Sequence, residues 1–160
     1  MNSTVRPMKP FEMDDIVELW SRLAREMLAL GSTVAVDKEN VKGFREFLRS
    51  LSKEDENQVI ISEIDGRIVG FLMFLKKAKS PVRLTHSQAT IDSLYVDEEH
   101  RRKGIATQLL KRCLEYLRST DVEDVRVNFL ANNIPARGLY KKLGFTDHMI
   151  IMNRQLQSTS

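Results

Sequence analysis

An unbroken apolar run from Ile68 to Leu75 is the sequence feature that most restricts how this chain can fold. The run lacks the polar alternation of a strand with one face in water, so it needs cover on both faces. It is also far too short to span a bilayer. Asp65-Gly66, just before it, favours a tight hairpin with Val59–Ile64, because both residues tolerate positive φ. The run therefore predicts the central strand of a layered α/β domain.

Apolar periodicity on either side of this run predicts the remaining elements. Helices are predicted from just after Asp14 to Gly31, and over Lys38–Ser52, Ile105–Ser119 and Ile134–Leu143. Further strands are predicted at Thr4–Met8, at Ala89–Val96, around Val125–Phe129 and at Met149–Met152. The resulting order, βααβββαβαβ, is that of a mixed central β-sheet with flanking helices.

Length, charge and cysteine content restrict the class of protein further. The 160 residues suit one domain over 1–160, with a frayed polar tail at 155–160. A net charge of +3 is too small to predict nucleic-acid binding. The single cysteine excludes an internal disulfide, and the N-terminus lacks a secretion-signal pattern. We therefore expect a cytoplasmic protein with neither a nucleic-acid nor a membrane partner.

A charged turn at Asp97–Lys103 joins the strand that ends at Val96 to the helix that follows Gly104. A helix start leaves backbone N–H groups unpaired, and the helix dipole adds partial positive charge there. Arg101, Arg102 and Lys103 add formal charge at the same place. Since neither a Walker loop nor a three-glycine dinucleotide fingerprint is present, this segment predicts a different kind of phosphate or diphosphate site.

Two segments carry a resemblance to a known family. Arg101-x-x-Gly104-x-Ala106 matches the Q/R-x-x-G-x-G/A signature of the GNAT N-acetyltransferase superfamily. Downstream, Asn133-x-x-Ala136-x-x-x-Tyr140-x-x-x-Gly144-Phe145 resembles that family's other cofactor segment. The resemblance implies the GNAT fold and an acetyl-CoA co-substrate.

The resemblance also implies where acetyl-CoA binds. The diphosphate would accept hydrogen bonds from backbone N–H groups of Arg102, Lys103, Gly104, Ile105, Ala106 and Thr107, next to Arg101. The pantetheine arm would pair like an extra strand with the backbone of Leu94 and Val96, with Asn133 on its other side. A backbone N–H near Tyr95 or Val96 would stabilise the oxyanion.

For catalysis, the resemblance implies that Tyr140 is the general acid that protonates the departing CoA thiolate. The general base stays open. Thr90 stands where many family members have a Glu, so Asp92 two residues on, His86 before the strand, or a water relay could accept the amine proton.

Other reactive side chains have plainer interpretations. Cys113 lies on the apolar stripe of its helix, which favours a buried structural cysteine over a nucleophile. His86, His100 and His148 show no metal-ligand spacing, so we expect no metal. By resemblance the uncharged loop 31–36 shapes the acceptor site. Glu26 and Asp37 flank it and could attract an amine, although exposed helix-end carboxylates are the plainer interpretation.

The function that follows is transfer of an acetyl group from acetyl-CoA to a primary amine by direct attack in a ternary complex. The amine could belong to a protein N-terminus, a lysine or a small molecule. The alternative is a non-catalytic acyl-CoA-binding regulatory module, which the absent strand Glu keeps open. Dimers are common in the family, so a homodimer is a further expectation.

Overall fold

The computed structural model of the chain describes residues 2–34, 36–77, 82 and 87–157. Within these ranges the regular elements are, in chain order, β1 Thr4–Pro7, α1 Met13–Ala29, α2 Lys38–Glu54, β2 Val59–Ile64, β3 Arg67–Lys77, β4 Gln88–Val96, α3 Ile105–Arg118, β5 Asp124–Val127 and α4 Ile134–Lys142. Three-residue 3₁₀ turns at Pro10–Glu12, Glu56–Gln58 and Glu98–His100 join some of them. None of these helices is both long and apolar enough to cross a membrane.

The five strands form one sheet in the order β1-β2-β3-β4-β5. β1 through β4 pair antiparallel, whereas β5 lies parallel to β4. The predicted mixed α/β architecture is therefore confirmed. The predicted hairpin is confirmed too, because Asp65 and Gly66 between β2 and β3 have φ of 50° and 76°.

Alternate residues of β3 enter two separate cores, which explains why its sequence has no polar face. Phe71 and Met73 pack into the core on the α1 and α2 side. Leu72 and Phe74 pack into the core on the α3 side. All four side chains are almost fully buried, so the predicted central strand with cover on both faces is confirmed.

The predicted last strand is wrong for the chain as the structure has it. Residues 145–157 contain no helix or strand, and the side chains of Met149, Ile150, Ile151 and Met152 are 69–90% exposed. An apolar, β-branched pattern gives a segment the tendency to pair, but a strand forms only where another strand meets it.

Candidate active site

β4 and β5 part halfway along β4. β5 pairs with β4 from Gln88 to Ile91 and ends at Val127. β4 continues to Val96 on the β3 side, where Gly70 is the partner of Val96. Residues 92–96 of β4 thus have no strand on their β5 side in the part of the chain that the structure describes.

One hydrogen bond just past the end of β4 shows which way the N–H and C=O groups of this strand point. The N–H of Asp97 donates to the carbonyl of Val69 at 2.8 Å, so Asp97 faces the β3 side. Alternate residues in an antiparallel ladder face opposite sides, so Tyr95 also faces β3. Leu94 and Val96 therefore direct their N–H and C=O groups toward the gap between β4 and β5, where the carbonyl of Val96 accepts from Nε of Arg101. Of the two oxyanion donors considered, the N–H of Val96 alone faces this gap.

The turn before α3 presents a row of unpaired donors. Arg102 and Gly104 adopt left-handed φ values of 61° and 81°. Across the described residues, no group accepts a hydrogen bond from the amides of residues 102–107. No side chain caps the helix at Gly104, and a Cβ built there would meet nothing within 4 Å. Together with the helix dipole, these amides form a concave site suited to a diphosphate.

The basic side chains of this turn are directed differently from what the charge pattern predicts. Arg101 donates from Nε to the carbonyl of Val96 at 2.8 Å and from one terminal nitrogen to both Glu26 oxygens, at 2.7 and 2.9 Å. Lys103 donates to the carbonyl of Glu99 at 2.9 Å. Lys103 therefore stabilises the turn itself, and Arg101 connects the turn to α1. The backbone amides of residues 102–107 stay available for an anion.

Glu26 connects this turn to the end of α1 and to Tyr95. The hydroxyl of Tyr95 donates to Glu26 Oε1 at 3.1 Å, and the Arg101 guanidinium lies 5.2 Å from the centre of the Tyr95 ring. Burial raises the pKa of Tyr95, and the Glu26 carboxylate raises it further. Sequence reasoning left Glu26 as a plain helix-end carboxylate, because its partner Arg101 is 75 residues away. Asp37 does match the plain interpretation, since it caps α2 by accepting from the N–H of Asn40 at 2.8 Å.

Tyr140 lies beside the point where β4 and β5 part. Its ring packs on Phe129, just past the end of β5, at 5.4 Å, and on Phe145 at 5.6 Å. The residue is 6% exposed, and burial raises the pKa of its hydroxyl to about 12. Among the described residues, none forms a hydrogen bond with that hydroxyl. The phenol is therefore protonated at neutral pH and has a proton to donate.

Asn133 has a structural role in addition to the one implied by resemblance. Its side-chain oxygen caps α4 by accepting from the N–H of Ala136 at 3.3 Å. Its Nδ2 lies 3.9 Å from the sulfur of Met27, so the start of α4 contacts the end of α1. One hydrogen of the Asn133 side-chain amide therefore points at α1, and the side-chain oxygen is occupied by the N–H of Ala136.

The candidates for the general base fare differently. Asp92 lies in a bulge, because Met73 pairs with Ser93 while Phe74 pairs with Ile91. Because of this bulge, regular strand alternation does not place Asp92 on the same face as Thr90. Its carboxylate is exposed and accepts from the hydroxyl of Ser93 at 2.9 Å. His86 lies outside the described residues.

Two further clusters have no catalytic features. Cys113 is 1% exposed, and burial raises the pKa of its thiol to about 12, which agrees with a structural cysteine. Asp97, Glu99 and His100 bring potential ligand atoms within 4.8 Å of one another. Asp97 accepts from Arg22 at 2.9 Å, so this carboxylate connects the turn to α1.

Comparison with known proteins assigns the family. Residues 15–145 match the Acetyltransferase (GNAT) family. An N-alpha-acetyltransferase of Sulfurisphaera tokodaii is 32% identical over 108 residues, which is 62% of this chain and 62% of that protein. An uncharacterized N-acetyltransferase of Methanocaldococcus jannaschii is 26% identical over 92% of this chain and 62% of its own length. The chain therefore spans about three fifths of the curated relatives it matches.

The fold also matches solved structures. The crystal structure of a transcriptional regulator from Bacillus halodurans C-125 superposes with a TM-score of 0.77 at 18% identity, covering 97% of this chain and all of that one. At such identity the likeness concerns the fold alone. With the family match over most of the chain, the conclusion is plain: this chain belongs to the GNAT acetyltransferase family.

Proposed function

We propose that this chain is an acetyl-CoA-dependent N-acetyltransferase whose acceptor is the α-amino group of a peptide or protein N-terminus. The observation that carries the proposal is a pair of neighbouring main-chain surfaces. One is the half of β4 that has no strand on its β5 side, and the other is the row of unpaired amides at residues 102–107. The family match supports acetyl transfer, and the relative from Sulfurisphaera tokodaii, an N-alpha-acetyltransferase, supports the choice of acceptor.

The residues present fit acetyl-CoA at both of its polar parts. The amides of 102–107 would hold the diphosphate, and the open space at Gly104 lets its oxygens approach the backbone closely. The outward N–H and C=O groups of Leu94 would pair with the amides of the pantetheine arm, while Val96, whose carbonyl accepts from Arg101, would keep its N–H for the acyl oxygen. This pairing directs the thioester along β4 toward the side where Tyr140 packs. When bound, acetyl-CoA supplies the activated acyl group.

Transfer proceeds by direct attack of the amine nitrogen on the thioester carbonyl carbon. The acceptor ammonium first loses one proton and becomes the attacking amine. A C–N bond then forms, the C–S bond breaks, and the nitrogen loses a second proton. Val96 donates its N–H to the oxyanion of the tetrahedral intermediate. Tyr140 donates its phenolic proton to the sulfur as negative charge develops there.

Tyr140 suits an acid that must stay protonated until the thiolate forms. Its pKa of about 12 lies above the ordinary value of 10, so no working pH removes its proton beforehand. A free thiol has a pKa of about 8.5. Complete transfer from this phenol is thus uphill, and the hydrogen bond to the developing thiolate supplies most of the stabilisation. The protons lost by nitrogen pass to Asp92, to His86 or to water, all of which stay open, and one of these protons restores the Tyr140 phenol.

Glu26 is the acceptor-side carboxylate in this proposal. It lies at the end of α1, next to the loop at 31–36, and is neutralised by Arg101. An acceptor ammonium can take one of its oxygens while Arg101 keeps the other. The contact between Met27 and Asn133 places this end of α1 against the helix that carries Tyr140. An amine drawn to Glu26 is therefore near the mouth of the gap between β4 and β5.

A thiol-release assay with acetyl-CoA tests this proposal. The matched pair is one lysine-containing peptide with a free α-amino group and the same peptide already acetylated at that position. We expect CoA release and mass gain at the N-terminus of the first peptide alone. Release with both peptides at lysine, or only with small amines, would contradict the acceptor. Tight CoA binding without release for any acceptor would favour the regulatory module. The cytoplasmic location stays a prediction.

A further inference from the structure

A cavity lies between the first turn of the chain and α2, away from the candidate active site. Its volume is about 480 Å³, which is in the range of small-molecule sites. The 3₁₀ turn at Pro10–Glu12 and the start of α1 form one side, and the second half of α2 forms the other. Met13 lines this cavity, whereas Glu26 lies about 20 Å further along α1. The cavity is therefore a different site from the gap between β4 and β5.

One side of the cavity is apolar. Met8 and Met13 line it and are almost fully buried, and Phe11 beside them is 79% exposed. The turn that carries Phe11 is held in place by Glu12, which accepts from the two terminal nitrogens of Arg6 at 2.9 and 2.6 Å. A firmly held turn thus presents an aromatic ring to the cavity without covering it. An exposed ring over an apolar surface is a contact that a ligand can use.

The other side of the cavity is cationic. Arg45, Arg49 and Lys53 follow one another at intervals of four residues in α2, so they share one face of the helix. Arg45 is neutralised by Asp14 of α1. Neither Arg49 nor Lys53 forms an ion pair with any residue that the structure describes. α2 therefore offers two unpaired cations opposite the apolar side.

We propose that this cavity binds a small carboxylic acid with a flat apolar part, such as an aromatic carboxylate. The planar guanidinium of Arg49 can donate to both carboxylate oxygens, and Lys53 adds positive charge. The apolar part covers the ring of Phe11 and the side chain of Met13. Glu56 also lines the cavity, and its negative charge favours a ligand with one carboxylate over a ligand with several anionic groups.

Calorimetric titration of the full chain with naphthoate tests the proposal. Saturating CoA is present throughout, so that the diphosphate site is occupied and cannot take the probe. Naphthamide is the matched ligand, because it has the same rings without the charge. We expect naphthoate to bind and naphthamide to bind at least about tenfold more weakly. Equal affinities, or no binding of naphthoate up to its solubility, would overturn the proposal.

Two substitutions locate the binding. Arg49→Glu reverses the charge and Phe11→Ser removes the ring, and both positions are exposed, so neither change should unfold the chain. Each should raise the dissociation constant for naphthoate about tenfold or more. The matched control is Arg118→Glu, an exposed arginine at the end of α3 outside the cavity, which should leave the affinity unchanged.

The remaining outcomes decide against the proposal. Naphthoate binding that ignores both substitutions would place the probe elsewhere on the molecule. Binding of an acidic peptide with aromatic residues, but not of naphthoate, would make the cavity a surface for protein docking and not for a small acid. The acetyl-transfer reaction is independent of each result, because the thiol-release assay reports on the gap between β4 and β5.

Discussion

The two halves of β4 differ in what their main chain bonds to, and this difference separates stability from function. From Gln88 to Ile91 the strand is paired on both sides, by β3 and by β5. Among the described residues, Ser93 to Val96 are paired with β3 and with no strand on the other side. Buried main-chain groups are costly to leave without partners. The second half is therefore the part of β4 to which the proposal assigns the cofactor arm.

Two glycines show the same contrast. Gly70, opposite Val96, is crowded, since a Cβ there would lie 2.9 Å from the carbonyl oxygen of Tyr95. Gly104 is open, with φ of 81° and no atom within 4 Å of a Cβ. Gly70 is needed for packing, and Gly104 for a turn that leaves room for a ligand. Substitutions can separate residues that pack the fold from residues that leave room for a ligand, and the expected changes in free energy decrease from Gly104 to Tyr140.

Gly104→Val should weaken CoA binding at the turn before α3. We expect the dissociation constant for CoA to rise about a hundredfold or more, because the side chain fills the diphosphate site and strains the left-handed turn. Calorimetric titration with CoA measures it. Gly66→Val is the matched control, since Gly66 also has open space and a φ of 76° but lies in the β2–β3 hairpin. Its affinity for CoA should be unchanged. Unchanged affinity in Gly104→Val would mean that the cofactor site is elsewhere.

Gly70→Ala should destabilise the fold at the crowded contact between β3 and β4. The added methyl meets the backbone of β4, so we expect a loss of about 2 kcal/mol in unfolding free energy. Chemical denaturation measures this loss, and CoA affinity of the folded fraction should hardly change. Gly43→Ala is the control, because Gly43 lies in α2 with nothing within 4 Å. That change should stabilise the protein slightly. Equal stability of the two variants would contradict the role given to Gly70.

The side chains of Asp55, Lys76 and Tyr116 form a hydrogen-bonded cluster, which should make the stability of the fold depend on pH. Burial opposes the charged carboxylate, but hydrogen bonds from Lys76, at 2.6 Å, and from the hydroxyl of Tyr116 outweigh it and lower its pKa from 3.8 to about 2. A depressed pKa stabilises the fold above pH 4, and this stabilisation is lost as the pH falls toward 2.

Asp55→Asn should therefore cost about 2 kcal/mol at pH 7 and progressively less below pH 4. Denaturation curves at several pH values measure this difference. Asp14→Asn is the control, since its carboxylate is 77% exposed in its pair with Arg45 and should change stability little. A cost for Asp55→Asn that stays constant down to pH 2 would rule out the ion cluster as its cause.

Tyr140→Phe should lower kcat at least about tenfold, while CoA affinity stays the same. Phenylalanine keeps the ring contacts with Phe129 and Phe145 and removes only the hydroxyl. Steady-state kinetics with a peptide acceptor measure it. Tyr116→Phe, which removes a hydroxyl remote from the gap, should leave kcat unchanged. Equal rates for wild type and Tyr140→Phe would remove Tyr140 from the mechanism.

Much of the fold could be predicted because the relevant signals are local. Turn residues such as Asp65-Gly66 and the apolar stripe of α3 determine their own neighbourhoods. The caps were harder. α1 was predicted to begin just after Asp14, but it begins at Met13, and the side chain of the residue before it, Glu12, makes no cap for α1 and accepts from the N–H of Lys9. Several acidic residues stand together there, and sequence alone does not select among them.

The sequence predicted the unpaired main-chain groups of the candidate site, but it did not predict the side-chain contacts around them. The amides of 102–107 follow from a helix start, and they have no partner in the described residues. The bond between Arg101 and Glu26 joins residues far apart in sequence, so no local pattern predicts it. The bulge at Asp92 depends on how β3 pairs with β4. The strand predicted at 149–152 does not form, because none of the described strands pairs with that segment.

The most direct test of the central claim is a crystal structure of this chain soaked with CoA. The account predicts diphosphate oxygens within hydrogen-bonding distance of the amides of residues 102–107, and the pantetheine arm alongside Leu94 and Val96. Nucleotide density elsewhere on the surface, or an empty turn at saturating CoA, would contradict it.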